Sequence, residues 1–203
     1  KRTASREVPA GIVSRKSALT FVIINCLLFI ATTFFINQIC FFLSPVALFI
    51  ILFYSYTKRF TPLCHLVLGV GLSLAPIGAY LAVTGQFDIL PLFFSGIVFT
   101  WVSGFDIMYA LQDEDFDREN NLYSIPVILG RKNALLASRV LHLATAILII
   151  LAGVNGLFYT LYWIGASIFI GLLIYQHSLV KANDISKINL AFGTTNGVAS
   201  VVF

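Results

Sequence analysis

Six of the nine acidic residues of this chain lie in the stretch WVSGFDIMYALQDEDFDRENNLYSIPVILGRKN: Asp106, Asp113, Glu114, Asp115, Asp117 and Glu119. If one helix carries them as far as Arg118, Asp113 and Asp117, four apart, lie about 40° apart on one face. Asp106, seven before Asp113, falls about 20° from the same line, with Tyr109 and Ala110 on that stripe. Three carboxylates then form a column. Carboxylates one turn apart that face a cavity suit a hard divalent cation. Mg²⁺ keeps several waters and commonly joins one or two carboxylates to substrate phosphates. A solvated acidic loop is the plainer alternative.

Basic partners stand in FYSYTKRFTP, as Lys58 and Arg59, and in the first segment, as Arg6. A metal together with basic side chains can clamp a diphosphate and stabilise its leaving oxygen. His65, His142 and His177 are isolated near the ends of apolar runs and receive no role. Cys26, Cys40 and Cys64 show no CxxC spacing and read as small buried hydrophobes.

The elements that must position these groups are membrane helices. Of 203 residues, 59% are hydrophobic and only 11% charged, with a mean hydropathy of +0.92. A soluble domain of this size could not cover so much apolar surface, so a soluble enzyme, a nucleic-acid module and a disordered tail are excluded. Seven apolar stretches run roughly over 18–37, 41–57, 63–83, 89–111, 134–153, 157–179 and 189–203. None alternates as a membrane β-strand does. The fold class is therefore all-α, a polytopic transmembrane bundle in one domain over 1–203.

Charge supports that partition. All 13 Lys and Arg fall in or beside the N-terminal segment and every second loop after it. That face is cytoplasmic, and topology alone explains the net charge of +4 without nucleic acid. The acidic cluster lies on this same positive side, against the bias of its own face, and Asp106 lies inside the apolar boundary. An intramembrane carboxylate is costly unless paired and is by default a functional candidate. Both features weigh against a merely solvated loop. The chain opens at Lys1 and closes inside an apolar run at Phe203, so truncation at both ends is expected.

Four separated segments, in order, resemble one family. Asp106 to Gly130, with the core YALQDEDFDRENNLYSIP, is similar to the second aspartate motif of the UbiA prenyltransferases. RTASREVPAGIVSRKSAL resembles the stretch after that family's first motif, and YSYTKRFT and LGVGLSLAPIGAY also match it. The 4-hydroxybenzoate polyprenyltransferase branch is the most similar. The resemblance implies a bundle of nine spans, about seven of them present here, that uses Mg²⁺ to bind a polyprenyl diphosphate. The allylic carbon–oxygen bond ionises, and the cation attacks an electron-rich aromatic acid. By position, Asp113 and Asp117 would hold Mg²⁺ and diphosphate, and Asp106 would assist the metal or the acceptor. Lys58 and Arg59 would contact diphosphate, Arg6 the diphosphate or the acceptor carboxylate, with Tyr109 and Ser124 as weaker candidates. The chain's 19 Phe, 8 Tyr and 2 Trp could line a tunnel for the isoprenoid tail. The family's first motif, NDxxDxxxD, is absent, so this polypeptide alone is expected to be inactive although its longer parent is an enzyme.

Two other classes compete. A transporter could use the acidic column as an ion path, but gains nothing from a dense DxxxD facing Lys58 and Arg59. A CDP-alcohol phosphotransferase would need a Gly after an Asp pair and an Ala-Arg, which are missing. Within the UbiA-type enzymes, menaquinone, haem or chlorophyll tail attachment are the alternatives to ubiquinone biosynthesis, the menaquinone pathway standing second. A bacterial inner membrane, with the site on the cytoplasmic face, is the expected location.

Overall fold

The computed structural model describes residues 6–203, and among them there is no β-strand. Helix α1 spans Arg15–Ile36, α2 Gln38–Thr57, α3 Cys64–Thr84 and α4 Ile89–Tyr109. A 3₁₀ turn, Ala110–Asp113, leads into a short α5, Glu114–Glu119. Next come α6, Ile125–Asn155, and α7, Thr160–Leu179. A π-helical turn, Leu190–Thr195, then runs into α8, Asn196–Val202.

All seven expected apolar stretches are helical. Five helical runs are long and apolar enough to cross a membrane: α1, α2, α3, the continuous Ile89–Glu119 run and α6. The C-terminal run Leu190–Val202 is apolar but shorter. The bundle is inverted relative to a soluble protein. On α1 and α2, Phe35 and Phe42 are 84% and 71% exposed, as side chains meeting lipid tails should be.

Helix ends follow from local chemistry. Asn37, extended between α1 and α2, accepts from Cys40 N through Oδ1 and donates Nδ2–H to Leu81 O at 2.8 Å. One residue thus starts α2 and pins the α1–α2 corner to the end of α3. Asp88 caps α4 through Leu90 N. Gly130, at φ 73° and ψ 163°, breaks α6 into a short arm and a long shaft, a conformation open essentially to glycine alone.

Helix α4 is the hub, packed against α3 on one side and α6 on the other. At Gly69 the α3 backbone comes so near α4 that a Cβ would overlap Ser103 Oγ and Phe99 O. Small residues permit such approach where apolar lipid offers helices no hydrophobic drive to associate. At one end of the bundle the core is Ile107, Met108, Leu111, Leu135, Val180 and Ile188. Deeper, Ile97, Ile149, Phe169 and Leu173 join α4, α6 and α7.

Candidate active site

The α2–α3 and α5–α6 loops are tied together where the functional residues gather. Lys58, just past α2, accepts a hydrogen bond at its carbonyl from Tyr123 N at 2.7 Å. Its Nζ forms an ion pair with Asp117 Oδ2 at 2.8 Å. The Asp117 side chain is 1% exposed, and its Oδ1 has no hydrogen-bond partner among the described residues. On the next turn of chain, Cys64 Sγ approaches Tyr123 O at 3.7 Å. Its neighbour His65 meets Asp106 Oδ2 through Nδ1 at 2.7 Å.

These contacts surround a cavity of about 270 Å³ lined by Tyr54, Ser55, Lys58, Cys64, His65, Leu68, Asp106, Tyr109, Ala110 and Asp113. The same faces of α3 and α4 continue inward to an apolar groove of about 460 Å³. Leu68 is followed on α3 by Leu72 and Ala75; on α4, Tyr109 is preceded by Phe105, Val102 and Val98. From Tyr109 back to Val98 the helix advances about 16 Å into the bundle. Between the two stands an aromatic stack: the Tyr109 ring lies 3.8 Å from Phe192, which the π turn supplies, and Phe105 lies 5.5 Å from Phe192. A larger apolar cavity, about 530 Å³, lies among α1, α2 and α3 and is lined by no Asp, Glu, Lys, Arg or His.

The expected three-carboxylate column does not form. Helix α4 ends at Tyr109, and four residues of 3₁₀ turn intervene before α5. Each such residue turns the chain about 120° instead of 100°, so Asp113 and Asp117 rotate about 80° further around the axis. The result is a fan. Asp106 and Asp113 still reach one cavity, while Asp117 turns toward Lys58 behind it.

The other expected residues divide. Lys58 and Tyr109 line the cavity. Arg59 is exposed, its guanidinium 5.3 Å from the Tyr56 ring, and Arg6 is exposed in the N-terminal turns; neither lines the cavity. Ser124 is fully buried just before α6, with no partner for its Oγ among the described residues, and also lies outside the lining. The histidines are not isolated. His65 holds Asp106, and His142 Nδ1 lies 2.8 Å from His177 Nε2 between α6 and α7. No spacing rule links His65 to a residue 41 positions away on another helix, so only the α3–α4 packing reveals that pair.

A second ionic cluster braces the acidic turn. Glu114 accepts from Arg131 Nε at 2.7 Å and from Arg118 Nη2 at 3.1 Å, tying α5 to α6 just past the Gly130 break. Among the described residues no three His, Cys, Asp or Glu converge as a ready metal cage. Asp113 lines the cavity and is one oxygen donor there; Asp117, one turn on, is paired with Lys58 outside the lining but keeps an Oδ1 with no hydrogen-bond partner among the described residues. That fits a cation such as Mg²⁺, whose remaining positions go to waters and phosphate oxygens.

A polytopic helix bundle with acidic and basic side chains around a cavity at one end of its spans fits a membrane-embedded enzyme that handles an anionic, lipid-tailed substrate. The comparisons agree. The profile of the UbiA prenyltransferase family matches residues 1–198, and the chain belongs to that family. The 4-hydroxybenzoate octaprenyltransferase of Tolumonas auensis is 32% identical over 205 residues, across all of this chain and 71% of its own length. That of Aliivibrio fischeri strain MJ11 is 30% identical, across all of this chain and 70% of its own length. Among solved structures, a UbiA homolog from Aeropyrum pernix K1 superposes with a TM-score of 0.85 at 30% identity, covering 99% of this chain and 77% of that one. Digeranylgeranylglyceryl phosphate synthase, at 21% identity and a TM-score of 0.75 over 99% of this chain and 73% of its own, shares the fold.

Proposed function

We propose that this chain carries the chamber of a Mg²⁺-dependent enzyme that moves a polyprenyl group from its diphosphate to an aromatic acid. The acceptor that fits best is 4-hydroxybenzoate, the pathway quinone biosynthesis, and the location a bacterial inner membrane with the cavity toward the cytoplasm. One observation carries this reading: Lys58, Asp106, Asp113 and Tyr109 converge on one polar cavity, at the outer end of an α3–α4 seam whose inner part is apolar. The names of the two bacterial relatives favour that acceptor and a long prenyl chain. The basic residues that flank alternate loops favour the cytoplasmic orientation.

Each residue then has a task. Asp113 and Asp117 hold the cation, and Lys58 contacts the diphosphate as a point charge. Mg²⁺, when bound, neutralises charge on the departing diphosphate. Asp106 stands at the acceptor end. Tyr109, its ring backed by Phe192, walls the cavity, where an aromatic ring favours an allylic cation and its bulk keeps water from quenching it. The tail lies along Phe105, Val102 and Leu72. Arg59, exposed nearby, adds positive potential where an anionic headgroup arrives.

The test uses the full gene product in lipid nanodiscs with radiolabelled polyprenyl diphosphate, Mg²⁺ and 4-hydroxybenzoate. Label should pass to an extractable aromatic product, and EDTA should abolish the transfer. Absence of transfer to any aromatic acid, or ion uptake into vesicles in its place, would overturn the proposal.

A further inference from the structure

His65 lines the polar cavity, and the tasks assigned above leave it unused. It is the second residue of α3, 3% exposed, with Nδ1 2.7 Å from Asp106 Oδ2. Asp106 sits within α4 with its side chain 25% exposed, on the same cavity. A carboxylate inside an apolar helix is costly unless a donor holds it. One hydrogen bond to Oδ2 also removes rotational freedom about the carboxylate's side-chain bonds, so that Oδ1 faces a chosen direction.

The ring is itself held firmly. Cys64, the residue before it, reaches Tyr123 O, and one turn further along α3 Gly69 presses against Phe99 and Ser103 of α4. That contact sets how closely α3 approaches α4, and hence the His65–Asp106 distance. His65 Nε2 is buried and has no hydrogen-bond partner among the described residues, so the ring acts on the cavity through Nδ1.

We propose that His65 is a positioning residue: it donates Nδ1–H to Asp106 Oδ2 and thereby aims Oδ1 at the acceptor end of the cavity. The assignment rests on the prenyl-transfer reading for its consequence, though not for the pairing. Metal-site and active-site supports of this kind cost about 10–100-fold in activity when removed.

Three variants of the full gene product separate position from bulk. His65→Asn puts an amide N–H where Nδ1 stood; His65→Gln places it one bond too far; His65→Leu keeps volume without a donor. His65→Leu and His65→Gln should lower kcat about 10–100-fold with KM for polyprenyl diphosphate within about twofold, while His65→Asn recovers to within about fivefold. A second readout needs no turnover. With ¹³C-labelled aspartate, the infrared carboxylate band lost in Asp106→Asn should shift in His65→Gln and return in His65→Asn. Parental kcat in the Leu and Gln variants, equal losses in Asn and Gln, or an unmoved band would each overturn the assignment. The Asn–Gln contrast decides even if the Leu variant does not fold. Should the parent transfer no prenyl group, the band still reads the pairing, so failure of the reaction and failure of the pairing are distinguishable.

Discussion

Replacing Lys58 by Met tests whether its ammonium serves the protein, the ligand or both. Nζ lies 2.8 Å from an Asp117 carboxylate that is 1% exposed and whose other oxygen has no donor among the described residues. Without the cation a buried anion is left bare, which costs about 3–5 kcal/mol in a dry interior. Lys58 is 31% exposed and borders a polar cavity, so solvent screens the pair, and a loss of about 1–3 kcal/mol is expected. Most of that loss is the penalty on Asp117, so Lys58→Met/Asp117→Asn should recover much of the stability. Ligand affinity should not recover, because neither change restores a charge for the diphosphate. One charge-assisted contact, about 1.5–3 kcal/mol, corresponds to about 10–100-fold in Kd. Denaturant unfolding in micelles, beside calorimetric binding of a non-reactive prenyl diphosphate analogue with Mg²⁺, measures both. A Met variant as stable as the parent, or a double variant that binds normally, would refute the reasoning.

Asp113→Asn should cut turnover about 10²–10³-fold; turnover retained at saturating Mg²⁺ would exclude it as a ligand. Gly130→Ala forces a Cβ into a φ 73°, ψ 163° conformation and should cost about 1–3 kcal/mol in denaturant unfolding; an unchanged midpoint would show that α6 can dispense with its break. Glu114→Gln weakens two contacts whose Arg118 and Arg131 partners are 62% and 35% exposed, so the stability loss should stay near 0.5–1 kcal/mol. Its larger effect should be faster hydrogen exchange over residues 114–119, and unaltered exchange there would mean that the bridge does not hold α5.

What was legible in the sequence was set by hydropathy and charge. The spans could be marked because lipid imposes a length and an apolar surface, and Lys and Arg mark the alternate loops. Asp106, Asp113, Lys58 and Tyr109 could be singled out because carboxylates and an ammonium beside apolar runs are conspicuous, and the cavity gathers all four. The 3₁₀ turn was not legible. Ala110, Leu111 and Gln112 are good helix formers, and nothing in them marks a change of pitch. Its cause is tertiary: Leu111 packs fully into the core formed with Ile107, Met108 and Leu135, while Glu114 is drawn to Arg131 across the α6 break. His65 was missed for a related reason. A lone histidine at a helix start gains meaning only through a partner on a different helix, and a glycine four residues on, Gly69, is what brings that helix near.

The interruptions in these helices are what allow a polar chamber in an apolar bundle. A straight α4–α5 would align three carboxylates on one stripe, and mutual repulsion at low dielectric would make ionising all of them expensive. The 3₁₀ turn separates them, so that His65 holds Asp106 while Lys58 pairs with Asp117. Asp113 remains on the cavity between those pairs, one helical turn before Asp117. The α6 break does comparable work from the other side, since it sets Arg131 against Glu114 and leaves the chain before Ile125 free to cross to Lys58 through Tyr123. Negative charge is therefore divided among three local environments. On the proposed prenyl-transfer reading, an arriving cation and diphosphate would add to a partly neutralised site, with no need to assemble one from like charges.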